Sequence, residues 1–159
     1  TPGNKDAQGW LLHIPASYLG IAKAAQREAI NFATTYSPNS IKGTISEIPS
    51  VKQRIGEMEL RIFESSNILY SVARKWDESD KETRQTMKAE LGAAKLSVVN
   101  KALETVDIAM RIVGARSLSA KSPLQRYYRD VRAGLHNPPM DDMTIQLLAN
   151  ESIKNVTSD

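Results

Sequence analysis

The feature that most constrains this chain is the repetition of apolar residues every three or four positions over long stretches. In the first such stretch these residues are Ile14, Tyr18, Ile21, Ala25, Ala29 and Phe32. This spacing places them on one face of an α-helix. Pro15 falls in the first turn, where its missing N–H costs little. We therefore predict a first helix from about Leu11 to Thr35.

Two further stretches have the same rhythm. The second helix is predicted from Pro49 to about Trp76, with an apolar stripe formed by Val51, Ile55, Met58, Ile62, Leu69, Val72 and Trp76. The sequence Ser79-Asp80-Lys81-Glu82 has the capping-box pattern, so a third helix is predicted to begin there and to continue to about Val113. Gly114 suits the position just after a helix end, where left-handed backbone is common.

Two shorter helices are predicted near the end of the chain. Ser122-Pro123-Leu124-Gln125 combines a capping serine with a proline at the first helical position, which predicts a helix over Pro123–Leu135. Asn137-Pro138-Pro139 forces an extended stop. Asp141-Asp142 suits the positive N-terminus of a last helix that ends near Asn155. Since no stretch alternates at period two, we predict an all-α, up-down helical bundle of three long and two shorter helices.

The length of 159 residues suits a single domain with a real core. We predict one bundle over residues 10–155, preceded by a polar lead-in (1–9) from a missing upstream domain and followed by a tail (156–159). No apolar run approaches the roughly 20 residues that cross a bilayer, and no signal-peptide pattern opens the chain. We expect no membrane insertion and a cytoplasmic protein. The absence of cysteine excludes thiolate catalysis and cysteine-ligated metal.

Positive charge is concentrated in one window of the chain. Between Arg111 and His136 lie six lysines and arginines against Asp130 alone, although the net charge of the chain is only +3. Such a window either binds phosphate or another anion, or consists of solvated arginines on helix faces. No base-stacking platform or nucleic-acid motif accompanies it, so we predict no nucleic-acid partner.

Known chemical motifs are scarce. The chain has no P-loop, no dinucleotide fingerprint, no nucleophile elbow and no histidine–carboxylate spacing that suits a metal, so we predict no metal site. His136 stands out because it ends the cationic helix directly before the proline turn. There it either donates to a cofactor, acts as general acid or base, or satisfies helix carbonyls.

The order of these segments resembles the C-terminal helical domain of the acyl-CoA dehydrogenase flavoprotein superfamily. The matching stretches are YLGIAKAAQREAINFATTYS, EIPSVKQRIGEMELRI, DIAMRIVGARSL and PLQRYYRDVRAGLH, and the resemblance covers roughly Gln8–Glu151. It implies the last third of an enzyme that holds FAD (or FMN) between domains and assembles as a homodimer or homotetramer. It also implies that a neighbouring subunit contacts the FAD pyrophosphate and adenosine. The implied reaction is α,β-dehydrogenation of an acyl-CoA or another small-molecule substrate, with this fragment inactive alone.

The resemblance also implies site residues. The family's Gln-x-x-Gly-Gly turn falls on Arg111, Gly114 and Ala115, where Gly114 matches and the arginine is a suitable donor to phosphate. The implied cofactor-binding residues are Arg111, Gly114, Ala115, Arg116, Asn137, Met140 and Asp142. The family's Arg-x-x-Phe-Gly loop falls on Tyr36, Asn39 and Ser40, and a following family glutamine falls on Pro49. None of these residues matches the family pattern.

The turn that carries the catalytic carboxylate in the family differs most from this sequence. The family's Tyr-Glu-Gly-Thr turn falls on Asn137-Pro138-Pro139-Met140, which has no carboxylate, and the alternative family base falls at about Trp10. The turn is similar to a branch with histidine there, which includes two-component flavin-dependent monooxygenases, and His136 is therefore the catalytic candidate. Two alternatives stay open: a flavin-dependent monooxygenase of the same fold, and a helical interaction module without cofactor.

Overall fold

The computed structural model describes residues 9–158, so most of the predicted polar lead-in lies outside the described residues. Within that range the chain forms six α-helices and no strand. The helices are α1 (His13–Thr35), α2 (Pro49–Glu78), α3 (Lys81–Gln85), α4 (Lys88–Val113), α5 (Leu124–Arg132) and α6 (Asp141–Thr157). Short 3-10 turns occupy Gly9–Leu12, Ile45–Glu47, Gly114–Leu118 and Ala133–His136. The all-α bundle is confirmed.

The long helices run alternately up and down. Three ion pairs join α2 to α4: Arg61–Glu104 at 2.6 Å, Glu64–Lys101 at 3.2 Å, and Lys75–Glu90. Residue numbers rise along α2 as they fall along α4, so these helices are antiparallel. Gln26 of α1 donates to Glu59 of α2 at 2.6 Å. Such exposed contacts contribute little free energy, but they record the register of the packing.

Helix α4 forms the centre of the bundle, in contact with α1, α2, α5 and α6. Its buried face is largely small or branched, with Ala94, Val98, Ala102, Val106 and Ala109 almost inaccessible to solvent. The facing side of α1 is lined by Ala22, Ala25, Ala29 and Ala33. Small side chains on both helices allow a close approach of the two backbones, which excludes water from the core.

The predicted single third helix is wrong, because the chain breaks at Thr86-Met87. Asp80, and not Ser79, caps the short α3, since its carboxylate accepts from the backbone N–H of Thr83 at 2.8 Å. The Thr86 hydroxyl bonds back to the Thr83 carbonyl at 2.7 Å, and the break places the Met87 side chain fully in the core. Burial of this methionine compensates for the interrupted helix.

The predicted fourth helix is also shorter than expected, since it ends at Arg132 and continues as the 3-10 turn to His136. Gly134 lies so close to α1 and α4 that an added Cβ would stand 2.7 Å from Val99 Cγ1 and 3.0 Å from Tyr18 Cε2. The Pro138–Pro139 peptide bond that follows is cis. Among residues 9–158, no helix has the length and hydropathy of a membrane-spanning segment.

Candidate functional site

The segment from His136 to Met140, called here the proline turn, is held by a buried lysine. Lys95 lies on the core-facing side of α4 and is completely inaccessible to solvent. Its ammonium Nζ donates to the backbone carbonyl of Asn137 at 2.7 Å and to that of Pro139 at 3.1 Å. The Asn137 side chain donates to the Tyr18 hydroxyl of α1 at 3.0 Å. Two helices therefore fix the backbone of the turn.

Acidic and hydroxyl groups at the start of α6 complete this polar cluster. Asn100 donates to Asp141 Oδ2 at 2.9 Å, while Asp141 Oδ1 and Thr144 Oγ1 are buried without a hydrogen-bond partner among the described residues. Burial lowers the pKa of Lys95, and the nearby charge of Asp141 partly opposes this effect. The cluster is thus charged and largely shielded from water.

Beside the turn opens a cleft of about 850 Å³. Of the predicted site residues, Met140 and Asp142 line it, together with apolar groups from both ends of the chain, including Trp10, Leu11, Met143 and Leu147. Lys88 adds a cation to the wall. The cleft therefore has the mostly apolar lining and few charged groups that are typical of a small-molecule site.

His136 does not line this cleft. It is the last residue of the 3-10 turn, and its side chain is exposed. No hydrogen bond from its imidazole is found within the described part of the chain, so the ring is not engaged in satisfying helix carbonyls. An exposed histidine on a fixed backbone is available to a ligand that approaches from the solvent side.

The other predicted cofactor-binding residues lie at the far end of α4. Gly114 has φ of 76° and ψ of −150°, a backbone conformation that other residues rarely adopt, and no other group lies within 4 Å of the position of a Cβ. Ala115 and Arg116 follow it on the surface. Arg111 is also exposed, and its guanidinium donates to Asp107 at 2.9 Å.

Arg116 rests on a pair of aromatic rings. Phe32 and Tyr36 stack with centroids 5.0 Å apart, and the Arg116 guanidinium lies 4.5 Å above the Tyr36 ring. Tyr36 does not match the family's Arg-x-x-Phe-Gly loop. In this structure its ring supports Arg116, which follows Gly114. Cation–π contact orients the guanidinium while leaving its N–H edge free to bind an acceptor.

The structure does not bring the two groups of predicted residues together within one chain. Lys95, which binds the proline turn, and Arg111 are separated by sixteen residues of α4, which is about 24 Å along the helix axis. Arg126 and Arg132, further members of the cationic window, lie over the rings of Tyr127 and Tyr128. The window is therefore partly used for packing α5.

Sequence reasoning missed Lys95, Tyr18 and Phe32 as parts of these two groups. A signal for Lys95 was present, because this cation stands on the apolar stripe of α4 between Leu91 and Val98. A lysine on such a stripe indicates a buried partner. Within residues 9–158, no group of three or more histidines and carboxylates is placed to hold a metal ion.

Comparison with known proteins adds independent information. The sequence profile described as "Acyl-CoA dehydrogenase, C-terminal domain" matches residues 12–137. YdbM of Bacillus subtilis, a protein provisionally assigned as an acyl-CoA dehydrogenase, is 55% identical over 153 residues, which are 96% of this chain and 40% of that protein.

Two solved structures have the same fold. The acyl-CoA dehydrogenase of Slackia heliotrinireducens superposes with a TM-score of 0.80 at 21% identity, over 94% of this chain and 37% of that one. Butyryl-CoA dehydrogenase of Megasphaera elsdenii gives a TM-score of 0.80 at 19% identity, over 90% and 36%. The chain thus spans well under half the length of the relatives that it matches.

Proposed function

Because the chain belongs to the acyl-CoA dehydrogenase family as its C-terminal domain, we propose that it forms part of a flavin site in an oxidoreductase. The flavin is FAD, and the reaction is α,β-dehydrogenation of an acyl-CoA. Two groups of residues near opposite ends of α4 support this proposal best. The group around Gly114 is suited to a pyrophosphate, and the proline turn lies beside an apolar cleft.

The Gly114 end fits the dinucleotide part of FAD. Its open backbone at positive φ allows a phosphate to approach the main chain closely. Arg116 presents its N–H edge from the stack on Tyr36, and the exposed Arg111 supplies a second cation. A phosphate at this end competes with Asp107 for Arg111, because that carboxylate accepts from its guanidinium. Charge-assisted hydrogen bonds from arginine suit this anion.

The proline turn fits the ring end of a flavin. Met140 and the prolines give an apolar wall, and Asp142 adds a carboxylate at its edge. When bound, a flavin supplies the acceptor for a hydride from the substrate. The chain's own contribution is a group that transfers a proton. Pro138 occupies the position of the usual family carboxylate, and the exposed His136, which lies outside the cleft, accepts or delivers the proton of a ligand that reaches the turn from the solvent side.

The distance between the Gly114 end and the proline turn is explained by a flavin that is shared between two subunits. The turn of one subunit and the Gly114 end of its partner would then contact the same cofactor in a homodimer or homotetramer. The outer face of α2 supports an assembly, because Leu60, Phe63 and Tyr70 recur there at helical spacing with 54%, 62% and 71% of their surface exposed. Contiguous exposed apolar side chains are typical of protein interfaces.

The full-length protein that carries this chain provides the test. We expect it to purify with bound flavin and to lose its visible absorbance when acyl-CoA is added anaerobically. An Arg116→Ala substitution should raise the dissociation constant of FAD about tenfold or more, because a hydrogen bond to a charged group contributes about 1.5–3 kcal/mol. Arg129→Ala, an exposed arginine of α5 outside both groups, should leave it unchanged.

His136 has a matched control in the chain's other histidine. His136→Ala should lower turnover about 100-fold, within the range for loss of a general acid or base, and should remove one limb of the pH profile. His13→Ala, at the exposed start of α1, should change neither quantity. Unchanged turnover in the His136 variant would remove this residue from the reaction.

A second candidate reaction is monooxygenation by an enzyme of the same fold. The absence of a carboxylate at Pro138, next to an exposed histidine, favours it. Oxygen consumption that requires an added flavin reductase, without bleaching by acyl-CoA, would select this reaction. A full-length protein that takes up no flavin would instead indicate a helical interaction module.

A further inference from the structure

Lys95 differs from every other described cation in the chain by its complete burial. The remaining lysines and arginines among residues 9–158 are exposed or half-buried, whereas none of the Lys95 surface reaches solvent. Removing an ammonium group from water costs several kcal/mol unless close partners compensate. The structure provides those partners in the carbonyls of Asn137 and Pro139, at 2.7 and 3.1 Å.

The two acceptors belong to a segment that is poor in backbone donors. Pro138 and Pro139 have no N–H, so the turn cannot build a continuous set of main-chain hydrogen bonds. Both carbonyls nevertheless point inward to one donor group. One side chain of α4 therefore holds two backbone carbonyls of the segment between His136 and Met140.

The groups around Lys95 fix its position in turn. Asp141, which contributes a nearby negative charge, accepts from the Asn100 amide at 2.9 Å. Asn137 is held a second time, through its side chain, by the Tyr18 hydroxyl. Movement of the turn therefore breaks hydrogen bonds to α4 and α1, while α6 contributes the charge of Asp141 beside Lys95.

We propose that Lys95 is a positioning residue that holds the proline turn in the geometry required for the flavin and for His136. Because its side chain is fully buried, it acts through the two carbonyls. The expected effect of Lys95 on catalysis rests on the proposed function. Its effect on the position of the turn's backbone does not.

Lys95→Met tests this role, because methionine keeps an apolar stem of similar length and removes the donor. Met58→Ala is the matched control: Met58 is equally buried, in α2, and has no contact with the turn among the described bonds. Both variants of the full-length protein should be less stable. In Lys95→Met alone, amide hydrogen exchange in residues 136–144 should accelerate about tenfold or more, as local opening becomes easier.

A second measurement, of the effect on function, uses bound flavin as the probe. At saturating FAD, Lys95→Met should change the visible circular dichroism of the flavin and lower kcat about tenfold or more, while Met58→Ala should change neither. If Lys95→Met fails to fold, Lys95→Gln, which retains an amide donor, replaces it and should give a smaller effect in the same direction. Unchanged exchange in residues 136–144 overturns the proposal. A wild-type protein without flavin refutes the proposed function instead, and the exchange measurement still decides the role of Lys95.

Discussion

The Tyr18 hydroxyl accepts a hydrogen bond from the Asn137 side chain at 3.0 Å and so ties the first long helix to the proline turn, 119 residues later. Tyr18 is 8% exposed, and its ring also packs against Gly134. The contact therefore lies in the core.

Replacing Tyr18 by Phe should test the strength of this tie. The ring remains in place, while the Asn137 amide loses its acceptor, which should reduce the free energy of unfolding by about 0.5–1.5 kcal/mol. Urea unfolding measures the change. Tyr70→Phe is the control, since Tyr70 is 71% exposed on α2, and it should have no effect.

Gly134→Ala should destabilise the bundle. A Cβ at this position would stand 2.7 Å from Val99 Cγ1, so the 3-10 turn must move away from α4, at a cost of about 1–3 kcal/mol. Gly20→Ala, on the exposed side of α1 with no atom near its Cβ position, should instead stabilise by about 0.5–1 kcal/mol. Thermal unfolding of both variants measures these two effects. Equal shifts of the melting temperature would contradict the predicted crowding at Gly134.

Gly114→Ala should also destabilise, for a different reason. Space is available for the methyl group, but φ of 76° with ψ of −150° is strained for any residue with a side chain, by about 1–3 kcal/mol. Gly56→Ala, in an open position within α2, is the control and should be neutral or stabilising. Equilibrium unfolding distinguishes them, and a Gly114 variant as stable as the wild type would contradict the predicted strain at this position.

Asp80 should make stability depend on acid pH. Bonds from the Thr83 backbone and side chain lower the pKa of Asp80 from its ordinary value of 3.8. The folded state then binds the proton less tightly than the unfolded state, so its contribution is complete above pH 3.8 and disappears as the pH falls through the lowered pKa.

Two substitutions separate the charge of Asp80 from its capping bond. Asp80→Asn keeps an acceptor and should lose the acid dependence, whereas Asp80→Ala should lose both the dependence and the cap. Unfolding free energies measured from pH 2 to pH 7 decide the matter. An Asn variant whose difference from wild type stays constant over this range would contradict the pKa shift.

Much of the architecture could be predicted because long helices repeat their pattern many times. The apolar stripes located α1 and α2 to within a few residues, and proline and glycine marked the ends at Pro49 and Gly114. The break at Thr86-Met87 could not be predicted in this way. It contains neither glycine nor proline, and it accompanies a contact that the spacing does not show: Arg84 of α3 donates to the Trp76 carbonyl at 2.8 Å and so connects α3 to the end of α2.

The candidate site was harder to predict for a related reason. Spacing and resemblance located the Gly114 turn and the proline turn in the sequence, but neither indicates which helix faces them. That Lys95 binds two carbonyls more than forty positions later follows only from how α4 packs against the end of α5. The stack of Arg116 on Tyr36 likewise depends on the packing of α1 beside α4.

The distance between the two ends of α4 has a genetic consequence if the flavin is shared between subunits. An allele damaged at Arg116 and an allele damaged at His136 each encode an intact copy of the part that the other lacks. Co-expressed in one cell, the two impaired chains should assemble into mixed oligomers in which some of the cofactor sites are whole. Interallelic complementation would then raise the activity above that of either allele alone.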